Sequence, residues 1–154
     1  MSTDIDDPTA IALWGQVIRG FQAFNETVHG KIKDEFGLNE SEAETLLNLY
    51  RHPKHRAPMA VLSKATSYST GGFTKLADKL CAKNLTSRAA CTDDRRVTYL
   101  ELTQAGVVVS KKLAKMVAET NKEHFISVLG IERAQELAAA MTELYQANSA
   151  TPKD

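Results

Sequence analysis

The sequence predicts a mainly α-helical protein with one small β-wing, and three observations predict it. Apolar residues recur every three or four places over most of the chain, the spacing of a helical face. Capping and stop residues cut that pattern into six helices. A single interruption after Asn84 holds two short β-prone runs around a polar turn. With 154 residues, ordinary apolar content and few glycines or prolines, the chain suits one globular domain.

The elements follow in order. From Thr9 to Phe36, Ile11, Trp14, Val17, Ile18, Phe21, Phe24, Val28, Ile32 and Phe36 form one helical stripe. Gly15, Gly20 and Gly30 interrupt it, each at up to about 1 kcal/mol against Ala, so packing within or between subunits must compensate. Gly37 is the stop. Asn39 and Glu42 stand at capping-box spacing and start a second helix, Glu40 to Tyr50, with Ala43, Leu46, Leu47 and Tyr50 inward. Pro53 and the basic stretch Arg51 to Arg56 break the pattern. Pro58 is placed in the first turn of a short third helix reaching Ala65, with Met59 and Leu62 inward. Ser69 caps a fourth helix through Lys83, whose inner stripe is Phe73, Leu76, Ala77 and Leu80. Leu85 to Ala90 and Val97 to Leu102 make a hairpin around Cys91, Thr92, Asp93 and Asp94. Thr103 caps a fifth helix from Gln104 to Asn121, with an extension toward Leu129. Gly130 separates it from a sixth, Ile131 to Asn148, and Ser149 to Asp154 are expected to fray.

Net charge is zero, which taken whole speaks against a nucleic-acid binder. The total hides a segregation. Residues 51–96 carry ten basic and three acidic residues, +7; residues 1–50 carry three and nine, −6; residues 97–154 carry six and seven, −1. The basic surplus falls on two short helices joined by a turn and followed by a hairpin, which is the winged helix-turn-helix order, and it is the footprint of phosphate-backbone binding.

The run from Leu62 to Gly106, LSKATSYSTGGFTKLADKLCAKNLTSRAACTDDRRVTYLELTQAG, resembles the MarR (multiple antibiotic resistance regulator) family of transcription factors. Asp94 and Arg96 match the family's D-x-R wing, and Leu102, Thr103 and Gly106 its L-T-x-x-G start of the next helix. The resemblance implies a winged helix-turn-helix lobe over residues 40–102, and N- and C-terminal dimerisation helices over 9–36 and 104–148. It implies a homodimeric regulator, a repressor released by a small aromatic or anionic effector, on a pseudo-palindromic double-stranded operator. Ser69, Thr70, Thr74 and Lys75 then reach base edges or phosphates from the recognition helix. Gly71 and Gly72 let its backbone approach DNA, or else serve a tight helix contact. Lys79 and Lys83 are backbone contacts or plain surface. Arg95 and Arg96 belong to the wing, Arg96 reaching toward the minor groove. Asp94 orients the wing arginines through a charge-assisted bond, or else makes a simple turn-stabilising ion pair. In the family a crevice beside the dimerisation helices takes effectors, which makes Trp14 and Arg19 candidates.

Trp14, Phe21, Phe24 and Tyr50 read as core or interface residues. Cys81 and Cys91 read as buried or incidental thiols, with a redox switch as the alternative because basic neighbours lower a thiol pKa. His29, His52, His55 and His124 show no metal-ligand spacing beyond the pair flanking Pro53 and Lys54. No catalytic constellation, cofactor motif or metal site is expected. No apolar run approaches the roughly 18 residues of a bilayer span, and the acidic N-terminus resembles no signal peptide, so a cytoplasmic location is expected. The alternative to an effector-controlled regulator is a DNA-architectural winged-helix protein.

Overall fold

The structure is a computed structural model describing residues 4–66 and 68–149. Ser67 and most of the expected frayed tail, residues 150–154, lie outside the described residues. The elements are α1 (Asp7–Phe36), α2 (Glu40–Arg51), β1 (Arg56–Pro58), α3 (Met59–Ala65), α4 (Thr70–Ala82), β2 (Thr86–Ala90), β3 (Thr98–Leu102), α5 (Gln104–Asn121), α6 (Ser127–Leu129) and α7 (Ile131–Ser149). They form two compact units, residues 25–117 and residues 1–24 with 118–154.

In the unit of residues 25–117, a three-stranded antiparallel sheet runs in the order β1-β3-β2. The hairpin β2–β3 was expected, but β1 was not. The expected third helix forms as α3, one residue later than expected: Pro58 is its N-cap and at the same time the last residue of β1, with φ −58 and ψ 138, opposite Tyr99. Its fixed φ suits extended backbone as well as a first helical turn, and β1 is an edge strand, where a missing N–H is tolerated.

Leu49, Ala57, Leu62, Phe73, Leu76, Ala77 and Leu100 form one buried cluster, with Met59, Cys81 and Leu102 packed against it. All four residues of the predicted inner stripe of α4, Leu80 included, are buried. At about 1.5–3 kcal/mol per fully buried large apolar side chain, this stripe fixes which face of α4 is left outside. The capping box before α2 forms in full. Asn39 Oδ1 accepts from the Glu42 N–H and Glu42 Oε2 from the Asn39 N–H, each at 2.9 Å.

The other unit contains the start of α1, a π-helical turn (Lys122–Ile126) that prolongs α5, then α6 and α7. Asp6 Oδ1 caps α1 by accepting from the Thr9 N–H at 2.9 Å, and its bonds to Thr9, side chain first, hold the Asp6 carboxyl below the usual carboxylate range. Phe24 and Phe125 pack with ring centroids 5.8 Å apart, beside an apolar cavity of about 540 Å³ lined by Val17, Phe21, Leu137 and Met141 among others. Trp14 and Phe21 are not core residues of the single chain: they are 54% and 63% exposed, on a face that also shows Ile11. Gly130, with φ +81, ends the prolonged helix.

Candidate nucleic-acid interface

The site begins at the turn before α4. Ser69 Oγ accepts from the Gly72 N–H at 3.1 Å and so caps the helix. Beyond the cap, Thr70, Gly71, Thr74, Lys75, Asp78 and Lys79 are exposed, because the core stripe occupies the opposite face. The two glycines differ in kind. A Cβ at Gly72 would come within 3.1 Å of the Tyr68 ring and of Ser69 Oγ, whereas one at Gly71 meets nothing within 4 Å. Gly72 therefore serves the turn, and Gly71 opens outward. Thr74 Oγ1 donates to the Thr70 carbonyl at 2.9 Å, leaving its methyl and lone pairs for a partner.

The wing tip is a tight turn, with Cys91 N–H on Val97 O and Val97 N–H on Asp94 O, both at 3.0 Å. Asp94 Oδ1 accepts from the Arg96 backbone N–H at 2.9 Å. The carboxylate thus holds the wing backbone, and among the described residues it makes no ion pair with a guanidinium. Arg95 and Arg96 are exposed, and neither guanidinium has an acidic ion-pair partner among the described residues.

Two other basic residues of the lobe are committed elsewhere. Arg88, on β2, reaches Asp78 Oδ1 at 2.7 Å and donates to Thr74 O at 3.3 Å, bracing the wing against α4. Lys83 pairs with Glu42 at 2.9 Å. Between α3, α4 and the wing lies a groove of about 550 Å³, whose lining includes Lys64, Thr70, Thr74, Arg88 and Arg96 beside apolar residues such as Met59, Phe73 and Val97. Lys64 and Arg88 were visible in the sequence as charge but had no assigned place. A groove with this border can take anionic backbone oxygens while the hydroxyls and methyl of α4 meet base edges.

The L-T-x-x-G segment has a different job. Thr103 donates through Oγ1 to Asn84 O at 2.7 Å and through its backbone N–H to Leu85 O at 3.1 Å, while its Oγ1 caps α5 by accepting from the Gly106 N–H at 2.9 Å. It joins the end of the α4 turn to the start of α5.

Trp14 and Arg19 both lie exposed on α1, and neither lines the apolar cavity that this helix borders. A smaller cavity of about 280 Å³ in the other unit is lined by Val28, His29, Glu40, Leu47 and Arg51 among others, and His29 Nε2 lies 3.4 Å from Glu40 there. His55 stacks on Tyr50 at 5.2 Å and its Nδ1 meets the Tyr50 carbonyl at 2.9 Å. Cys81 and Cys91 are free and half-buried, with Cys81 Sγ 3.4 Å from Thr86 Oγ1. Among the described residues no helix is long and apolar enough to cross a membrane.

The order is a helix-turn-helix whose second helix keeps one face exposed, followed by a β-hairpin with Arg95 and Arg96 at its tip, and it matches the fold of solved MarR family transcriptional regulators. Solved structures agree along nearly the whole chain. AbsC, a MarR family transcriptional regulator from Streptomyces coelicolor, is 24% identical, with a TM-score of 0.86 over 97% of this chain and 100% of that one. A second MarR family regulator of that organism, solved in complex with DNA, is 17% identical with a TM-score of 0.85 over 99% and 97%. A mutant MarR from E. coli complexed with operator DNA gives 0.75 at 17% identity over 91% and 99%. In sequence, the HTH-type transcriptional regulator MhqR of Bacillus subtilis is 32% identical over 89 residues. That match spans 58% of this chain and 59% of MhqR. No family model matches.

Proposed function

We propose that the chain is a sequence-specific DNA-binding transcriptional regulator of the MarR family. One observation carries this: an exposed α4 face bearing Ser69, Thr70, Gly71, Thr74, Lys75 and Lys79 stands beside a wing whose Arg95 and Arg96 have no acidic partner. The relatives solved with DNA and the regulator MhqR support the same reading. It acts as a homodimer, for which the uncovered apolar face of α1 speaks. Two recognition helices then enter successive major grooves roughly 10 base pairs apart on a pseudo-palindrome. A small aromatic or anionic effector releases it by favouring a lobe spacing that does not match the operator.

Selection of duplexes from a random pool by the purified protein, followed by titration of a selected and a random duplex at several salt concentrations, tests the proposal. The selected duplex should bind at least roughly 10³-fold more tightly, with log affinity falling steeply against log salt for both. Equal binding of the two duplexes overturns sequence specificity and favours the architectural alternative. No binding at low salt overturns the reading altogether.

A further inference from the structure

Lys83 counts as DNA-facing charge in the sequence, but its surroundings are those of a structural joint. Its Nζ donates to Glu42 Oε2 at 2.9 Å and to the Gly37 carbonyl at 3.2 Å. The Glu42 side chain is only 4% exposed, and the same Oε2 accepts the Asn39 N–H. A carboxylate so buried needs charge-assisted partners, and Lys83 is the cation that supplies one. The residue beside Glu42 does the matching thing at the other end of α4. Ser41 Oγ hydrogen-bonds the Tyr68 hydroxyl, and Tyr68 directly precedes the cap Ser69. Consecutive residues in the first turn of α2 therefore hold the two ends of one exposed helix, and Gly37, at the end of α1 with φ +63, is tied to the same knot.

From this geometry we infer that the Ser41–Glu42 turn is a yoke that sets the orientation of α4, with Lys83 a positioning residue and not a phosphate contact. The inference rests on the proposed DNA-binding reading for its consequence, since orienting α4 matters to how bases are met. Because the yoke acts on geometry, it governs the specific complex and leaves non-specific phosphate binding alone.

Lys83→Met, Glu42→Gln and Tyr68→Phe are the variants, assayed as full chains on the selected and random duplexes described above. Each should weaken the selected duplex by roughly 2- to 30-fold, with random-duplex affinity and salt slope unchanged. The Lys83→Met/Glu42→Gln double variant should weaken it by less than the product of the two single changes, because they share the Lys83–Glu42 contact, and a full product overturns the coupling. A Lys83→Met loss equal on both duplexes, with the salt slope reduced by about 1, identifies a phosphate contact and overturns the yoke. Unchanged affinity on both duplexes overturns it as well. Amide hydrogen exchange gives a reading without DNA: Lys83→Met and Glu42→Gln should both speed exchange in the last turn of α4, and unaltered exchange overturns the yoke. If the wild-type protein prefers no duplex, the functional proposal fails and exchange alone decides the joint.

Discussion

A Cβ on residue 106 would lie 1.9 Å from the carbonyl oxygen of Leu85, well inside any tolerable contact. Gly106 is thus fixed by a backbone oxygen, and that oxygen is already held by the Thr103 N–H at 3.1 Å. Neither side can yield cheaply, since moving Leu85 breaks the joint between the α4 turn and α5. Gly106→Ala should therefore destabilise the protein by about 1–3 kcal/mol, lowering the urea midpoint at unchanged m-value. A midpoint equal to wild type would show that the joint relaxes freely.

Gly71 supplies the opposite case, because nothing lies within 4 Å of its added Cβ. Alanine is the better helix former by up to about 1 kcal/mol, so Gly71→Ala should keep or raise the urea midpoint. If the backbone there approaches DNA, the same methyl should weaken the selected duplex while leaving the fold intact. Unchanged affinity would remove Gly71 from the interface.

Much of this arrangement was legible in local sequence, and the losses have a common cause. Asn39 with Glu42, Ser69 with the α4 stripe, and Gly37 and Asn84 at left-handed helix ends are all written within a few residues of one another. The strand β1 is not, because three residues have no periodicity and their pairing depends on β3, more than 40 residues away by the Arg56–Glu101 register. The charge sum over residues 51–96 likewise could not see that Lys83 is committed to Glu42 or Arg88 to Asp78. The amphipathic face of α1 was legible, whereas the exposure of Trp14 and Phe21 on it was not, because periodicity marks an apolar face without saying what packs against it.

The two wing-side arginines should separate cleanly by measurement. Arg96 is exposed with no acidic partner among the described residues, so Arg96→Ala should leave stability within about 0.5 kcal/mol. Its loss should weaken DNA binding and reduce the salt slope by about 1. Arg88, 35% exposed and paired with Asp78, should on change to Met cost up to about 1 kcal/mol of stability and loosen the wing against α4. Identical stability and affinity profiles for the two variants would undo the distinction between contact and brace.

The exposed apolar face of α1 gives the last test. Ile11 is 74% exposed and Phe21 63%, each a side chain whose full burial contributes about 1.5–3 kcal/mol. A homodimer built on this face should not survive a charge placed in its middle, so Phe21→Asp should sediment at half the wild-type mass at micromolar concentration. The unit of residues 25–117 does not contain Phe21 and should keep its structure by amide exchange. Binding to the selected duplex should fall sharply, because one lobe reads only one half-site, while random-duplex binding falls less. A wild-type protein that sediments as a folded monomer, or a Phe21→Asp variant that remains dimeric, would move the interface off this face.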